Sequence, residues 1–402
     1  MIRLRRKSKP IFLQNKTGKA DAKSVWIGGD HPVVVQSMTT TDTADADKTL
    51  EQVYGLAMEG CEVVRVTVKD PPDAAGLPSI VYRSPVPIVA DIHFDHRMAL
   101  AAIEAGVAKL RLNPGNIRDP KKVVEVVTAA KARGIPIRVG VNMGSLAPDL
   151  EKTLGHTAEA MVESALRHVQ MLEEHGHTDI AISLKAHDVA TTVAAYRLMD
   201  KRLRERETPY ALHLGITEAG MLRDGTIKSS IGLGILLYEG IGDTIRVSLA
   251  ADPIEEVPVC WSILKSLGLR EKGFEITACP SCGRAEISVL ELGEQVEAIA
   301  KSYSAPVKVA VMGCVVNGPG ESKMADVGVA GGKGKGAIYR AGELVGTYPE
   351  DQLLAMLRLE IEKVIAEKYP SYLHEVHGTG AAPTEALSSQ AQTQSAGVEG
   401  RA

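Results

Sequence analysis

The stretch AKLRLNPGNIRDPKKVVEVVTAAKARGIPIRVGVN, Ala108 to Asn142, decides the fold. It opens with an apolar run, Ala108–Asn113, and closes with a second, Pro136–Asn142. Between them, Lys121–Arg133 repeats its apolar residues at three- and four-residue spacing, the period of a helix with one buried face. Short, nearly continuous apolar runs joined by such a helix read as strands of a parallel sheet with its outer face covered. The same unit recurs on both sides. Strands are predicted at Val33–Met38, Glu62–Val68, Pro87–His93, Asp179–Lys185, Tyr210–Thr217 and Thr244–Leu249. Helices are predicted at Lys48–Glu59, Arg97–Ala105, Ala158–His175 and Val189–Arg206. Eight strand units between residues 30 and 270 predict a (β/α)8 TIM-type barrel. The second connection, Lys69 to Val86, is rich in proline, so a weak helix is expected there.

A boundary follows the helical run Val257–Leu267. Residues 271–372 then read as a smaller α+β domain. It has a strand into Cys279, a helix over Ser288–Tyr303, a strand Val307–Met312 into Cys314, a further strand at Ala337–Arg340 and a closing helix Asp351–Lys368. Residues 1–29 read as a solvated basic arm. Residues 373–402, rich in Ala, Ser, Gln, Thr and Gly, read as a disordered tail.

The strand ends carry the chemistry, because a barrel works at the carboxyl ends of its strands. The second ends Arg65-Val66-Thr67, the fourth Arg111-Leu112-Asn113, and the eighth Arg246-Val247-Ser248. The fifth carries Arg138 and Asn142, and the sixth ends in Lys185. Residues two apart share a face, so each strand sets a cation and a small polar group on one side. Cations buried without partners are costly and repel one another. Two readings follow. Either they pair with internal carboxylates such as Asp91 and Glu218, or a strongly anionic substrate enters. Phosphate or diphosphate suits the arginine fork best.

The second domain contributes sulfur. Cys279 and Cys282 lie in ACPSCGR (278–284), and Cys314 and Glu321 in MGCVVNGPGE (312–321). A zinc site wants a fourth cysteine or a histidine, and no histidine occurs between His213 and His374. Three thiolates with an incomplete fourth position suit an iron–sulfur cluster. A hard carboxylate in that position is an exchangeable ligand. The alternatives are a barrel hydrolase or lyase acting on a phosphorylated substrate with a structural zinc knuckle, and a non-catalytic electron relay.

Composition narrows the rest. A net charge of −4 and 4% aromatic residues in 402 argue against nucleic acid and anionic membranes as partners. No run of about 18 apolar residues predicts a membrane span. Five cysteines, three of them clustered, point to a reducing cytoplasm rather than a disulfide framework. Asp91-Ile92-His93 lacks the partner motif of a barrel metallohydrolase. Gly331 to Gly336 reads as a mobile hairpin loop rather than a phosphate loop, and Cys61 and Cys260 read as buried small hydrophobes.

Several stretches together resemble one family. They are Val35-Gln36-Ser37-Met38-Thr39, Ala90-Asp91-Ile92-His93-Phe94, Arg111-Leu112-Asn113-Pro114-Gly115-Asn116, Arg138-Val139-Gly140-Val141-Asn142, Gly215-Ile216-Thr217-Glu218-Ala219-Gly220 and both cysteine motifs. In this order they resemble the bacterial 4-hydroxy-3-methylbut-2-enyl diphosphate synthases of the methylerythritol phosphate route to isoprenoids. The resemblance implies a barrel for 2-C-methyl-D-erythritol 2,4-cyclodiphosphate and a [4Fe–4S] domain. It implies two-electron reductive ring opening with loss of water. Cluster ligands would be Cys279, Cys282, Cys314 and Glu321. Substrate contacts would be Arg65, Arg111, Arg138, Asn142, Lys185, Ser248, Asn317 and Asp91, with Glu218 an acidic residue near the reacting carbons. The resemblance further implies a homodimer in which one subunit's cluster domain caps the other's barrel, and flavodoxin or ferredoxin as electron donor. His187, where a serine is more usual, departs from the family pattern.

Overall fold

The computed structural model describes residues 2–17, 22–112, 119–206 and 209–372. The chain divides after Arg270 into two compact units.

The first unit opens with a short antiparallel hairpin, β1 (Ile11–Leu13) and β2 (Val25–Ile27). Eight parallel strands then close a barrel: β3 (Val34–Met38), β4 (Val63–Thr67), β5 (Ile88–Ile92), β6 (Lys109–Leu112), β7 (Ile137–Asn142), β8 (Ile180–Lys185), β9 (Ala211–Leu214) and β10 (Thr244–Ile245). The last strand returns beside the first, with Thr244 opposite Val34. Aliphatic side chains pack between the strands and the outer helices. β9 and β10 are shorter than the apolar runs suggest. Past them the two segments stay close at Gly215, where a Cβ would stand 2.8 Å from the Arg246 carbonyl oxygen.

Residues 2–17 are not a solvated arm. Ile11, Leu13 and Ile27 are buried against Val34, Val63, Val89, Ala181 and Ala211, so the hairpin plugs the amino-terminal end of the barrel. Arg6 donates to Asp200 (2.8 Å) and Ser8 to Asp243 (2.9 Å). Residues 113–118, which include Asn113 at the end of the predicted fourth strand, and the predicted tail lie outside the described residues.

The proline-rich second connection forms a regular helix, Pro71–Arg83. Pro71 and Pro72 occupy the first turn, where a missing N–H has no partner to lose. Asp70 caps that turn by accepting from the Asp73 amide. Pro78 lies inside the helix on its exposed side, where water can satisfy the freed carbonyl.

The second unit is one mixed five-stranded sheet: β11 (Glu275–Ala278), β12 (Lys308–Met312), β13 (Val327–Gly332), β14 (Lys335–Arg340) and β15 (Glu343–Pro349). β11, β12 and β13 run parallel, and the remaining pairs are antiparallel. Helices Val289–Ala300 and Leu353–Lys368 bury their apolar faces on this sheet. The glycine run 331–336 forms the expected hairpin. Gly332 pairs with Lys335, and Gly334 takes the left-handed φ (+68°) that the turn requires.

Candidate functional site

Inward-facing residues at the carboxyl ends of the barrel strands line a cavity of 280 Å³. Seven residues proposed from the sequence meet there: Arg65, Asp91, Arg111, Arg138, Asn142, Lys185 and Ser248. Period-two alternation puts them there, since each lies an even number of residues from another inward position on its strand or in the segment directly after it. Met38, Thr67, His93, Ser183, Thr217 and Arg246 complete the lining. Arg246 belongs to the strand-end pattern already noted. His93 and Thr217 sit at strand ends within the quoted motifs, and that position was their available signal.

The two sequence-based readings of the cations each hold in part. Asp91 lies between two guanidiniums, 3.1 Å from Arg111 Nη1 and 3.6 Å from Arg65 Nε. Burial alone would raise its pKa, but the arginines outweigh it and hold the carboxyl down at about 2. Burial pushes Arg65 down to about 10, still charged at neutral pH. Arg111 also donates to the Gly140 carbonyl (3.1 Å). Residue 140 must be glycine for this, because a Cβ would stand 2.5 Å from Arg111 Nε. The other internal carboxylate is Glu256, which accepts from Arg246 Nη2 (3.0 Å) and Nε (3.2 Å) and from Ser37 (2.8 Å). Glu218 does not take that role. It is exposed, has a left-handed backbone (φ +52°) and does not line the cavity, although Thr217 beside it does.

No carboxylate answers Arg138 or Lys185 among the described residues. Arg138 is fully buried, and its Nε, Nη1 and Nη2 all lack a hydrogen-bond partner. Burial and the neighbouring arginines push the pKa of both side chains well down. An anion entering this cavity would satisfy donors that the protein leaves open.

Asp91→Asn should therefore destabilise the free protein by about 3 kcal/mol or more, by unpairing two buried guanidiniums. The sign with pH follows. A depressed carboxyl contributes fully above its unfolded value of about 4 and loses that contribution as pH falls toward its folded value. The gap between wild type and variant in urea denaturation should be full at neutral pH and shrink between about pH 4 and pH 2.

In the second unit the cysteines gather at neighbouring strand ends. Ala278 pairs with Val311, and the next residue, Cys279, donates its amide to the Val311 carbonyl (2.9 Å). Cys314 follows β12 by two residues and is nearly buried. The Cys282 turn folds back, with Ala285 N–H bonded to the Cys282 carbonyl (2.9 Å) and Glu286 N–H to the Gly313 carbonyl (2.8 Å). Cys282 is exposed, and the Arg284 amide lowers its thiol pKa. Glu321 lies in the first turn of helix Gly318–Met324, half-buried, its amide bonded to the carbonyl of exposed Asn317 (3.0 Å). Asn317 thus belongs to the second unit. Among the described residues no three His, Cys, Asp or Glu side chains stand as a single metal ion would require. A polynuclear cluster makes a different demand, because each ligand binds its own iron. Three cysteines and a carboxylate on adjoining loops fit that demand.

Residues 17–261 match the GcpE TIM-barrel domain, and residues 275–363 match the GcpE protein C-terminal domain. The chain belongs to the GcpE family. Among GcpE relatives, a protein of Geobacter sulfurreducens named 4-hydroxy-3-methylbut-2-en-1-yl diphosphate synthase (flavodoxin) is 53% identical over 358 residues. That match covers 89% of this chain and 100% of the relative. Proteins of the same name from Lawsonia intracellularis (53% identity, 88% of this chain, 98% of the relative) and Caldanaerobacter subterraneus (50%, 92% and 100%) are similar along their length. No helix among the described residues is long and apolar enough to cross a membrane.

Proposed function

We propose that this GcpE-family chain is the oxidoreductase that converts 2-C-methyl-D-erythritol 2,4-cyclodiphosphate to 4-hydroxy-3-methylbut-2-enyl diphosphate in isoprenoid precursor synthesis. Two electrons enter, the bond from a ring carbon to a diphosphate oxygen breaks, and a hydroxyl leaves as water. The observation that carries the reading is the pair of uncompensated cations, Arg138 and Lys185, in a barrel cavity otherwise organised around Asp91 and Glu256.

Arg65, Arg111, Arg138 and Lys185 bind the diphosphate, and Asn142 and Ser248 donate hydrogen bonds to it. Their positions fix the ring carbons relative to the cavity mouth, and the cations stabilise charge as it gathers on the diphosphate oxygen that leaves its carbon. Asp91 keeps two of the arginines charged and aimed inward. Glu218, at the rim, handles a proton. Cys279, Cys282 and Cys314, with Glu321 and with Asn317 alongside, would hold a [4Fe–4S] cluster, which when bound supplies electrons one at a time. Flavodoxin, named in the relatives, is the electron donor in this reading, and the chain works as a homodimer.

Anaerobic turnover of the cyclodiphosphate by reconstituted protein with a chemical reductant tests the assignment. Formation of the linear diphosphate is expected. No conversion by protein carrying its full iron and sulfide would overturn it.

A further inference from the structure

Beneath the cavity lining lies a lysine amine that the proposed reaction does not use. Lys109 is on β6, two residues before Arg111 and on the same inward face. Its register partner on β5 is Val89, a member of the apolar layer that the amino-terminal hairpin plugs. The ammonium nitrogen is fully buried and has no hydrogen-bond partner among the described residues. Lys109 does not line the cavity, so a ligand held there does not touch it.

The charges that face Lys109 are of its own sign. Arg138 on β7 and Arg65 on β4 act on it directly, and His213 on β9 feels the same field together with Lys185 on β8. Asp91 on β5 is engaged by Arg65 and by Arg111 of the same strand as Lys109, and Glu256 is engaged by Arg246. In the empty barrel, burial and the two guanidiniums push the Lys109 amine well below the lysine range. A diphosphate seated over Arg138 would oppose that field.

We propose that Lys109 is a reserve cation: it takes up a proton when a diphosphate fills the cavity above, and strengthens binding from a position that the ligand never contacts. The proposal rests on the diphosphate reading of the cavity. The sign with pH is definite. An amine that holds its proton less firmly in the empty barrel than in the filled one makes binding tightest at low pH. Affinity then falls as pH rises from the empty-barrel value to the filled-barrel value.

Calorimetric titration of the oxidised, cluster-loaded protein with inorganic diphosphate, in two buffers of different ionisation heat, counts the protons. Lys109→Met should take up about one proton fewer per diphosphate than wild type and bind about 10-fold more weakly, the ligand's own protonation cancelling in the difference. Lys109→Gln, polar but not titrating, should lose the same proton. Both ligand-free variants should melt at or above the wild-type temperature, since an unpartnered buried amine has been removed. An unchanged proton count overturns the role of Lys109 while leaving the cavity assignment intact. A fall in melting temperature, or failure to fold, also overturns it, by showing that the amine is structural. Failure of diphosphate to bind wild type at all sinks the cavity assignment, and the role of Lys109 with it.

Discussion

Arg138→Met is expected to raise the KM for the cyclic diphosphate by roughly 30-fold or more, and in the same protein to raise the melting temperature of the ligand-free state. The two effects have one cause. All three guanidinium nitrogens of Arg138 are buried without a partner in the empty barrel. An unpaired buried cation is a standing cost, and an apolar side chain of similar length relieves about 1–4 kcal/mol of it. In the proposed function a bound diphosphate supplies the missing partner. Losing charge-assisted hydrogen bonds to it costs about 2–5 kcal/mol of binding, or 30-fold to several thousand-fold in affinity. Arg246 sets the contrast. It is clamped by Glu256 at 3.0 and 3.2 Å, so Arg246→Met strands a buried carboxylate and should lower both stability and affinity. Thermal melts and steady-state kinetics on the two variants separate the cases. A less stable Arg138→Met protein with an unchanged KM would remove Arg138 from the binding machinery.

Much of this site was legible in the sequence because two periods coincide. Apolar runs set the barrel strands, and the two-residue repeat within them set Arg65 with Thr67, Arg138 with Asn142 and Arg246 with Ser248 on the inner face. What stayed hidden depends on where the chain returns. Asp91 lies on a strand, so its pairing with Arg65 and Arg111 could be anticipated. Glu256 lies on the first turn of helix Glu256–Ser266, and only the closed barrel brings it to Arg246, Ser37 and the Leu249 amide. Glu218 looked equivalent in sequence, but it sits in a left-handed turn outside the cavity lining. The amino-terminal residues read as solvated because Met1 to Pro10 is basic and lacks an apolar core. Their partners Asp200 and Asp243 lie roughly two hundred residues away, and the two three-residue strands are too short for any period to show.

Cys314→Ser should abolish bound iron, visible colour and turnover together, leaving residual activity below about 1% with the fold intact. The change is confined to the sulfur. The backbone at residue 314 is fixed by its carbonyl, which accepts from the Gly318 amide (3.1 Å), and by the Gly313 carbonyl, which accepts from Glu286. A serine hydroxyl fits that space but is not ionised at neutral pH, and its hard oxygen is a poor replacement for a soft thiolate. Cys260→Ser is the control. Burial in helix Glu256–Ser266 pushes its thiol up to about 12, as it does that of Cys61, so neither is available as a thiolate. That variant should keep its iron and lose about 1–3 kcal/mol of stability to the buried hydroxyl. The five cysteines thus divide into two held inert by the barrel core and three placed at the loops of the second sheet. Iron and sulfide analysis, an absorption spectrum and a turnover assay on both variants decide the division. Wild-type iron and activity in Cys314→Ser, or loss of iron in Cys260→Ser, would assign the cluster to the wrong sulfurs.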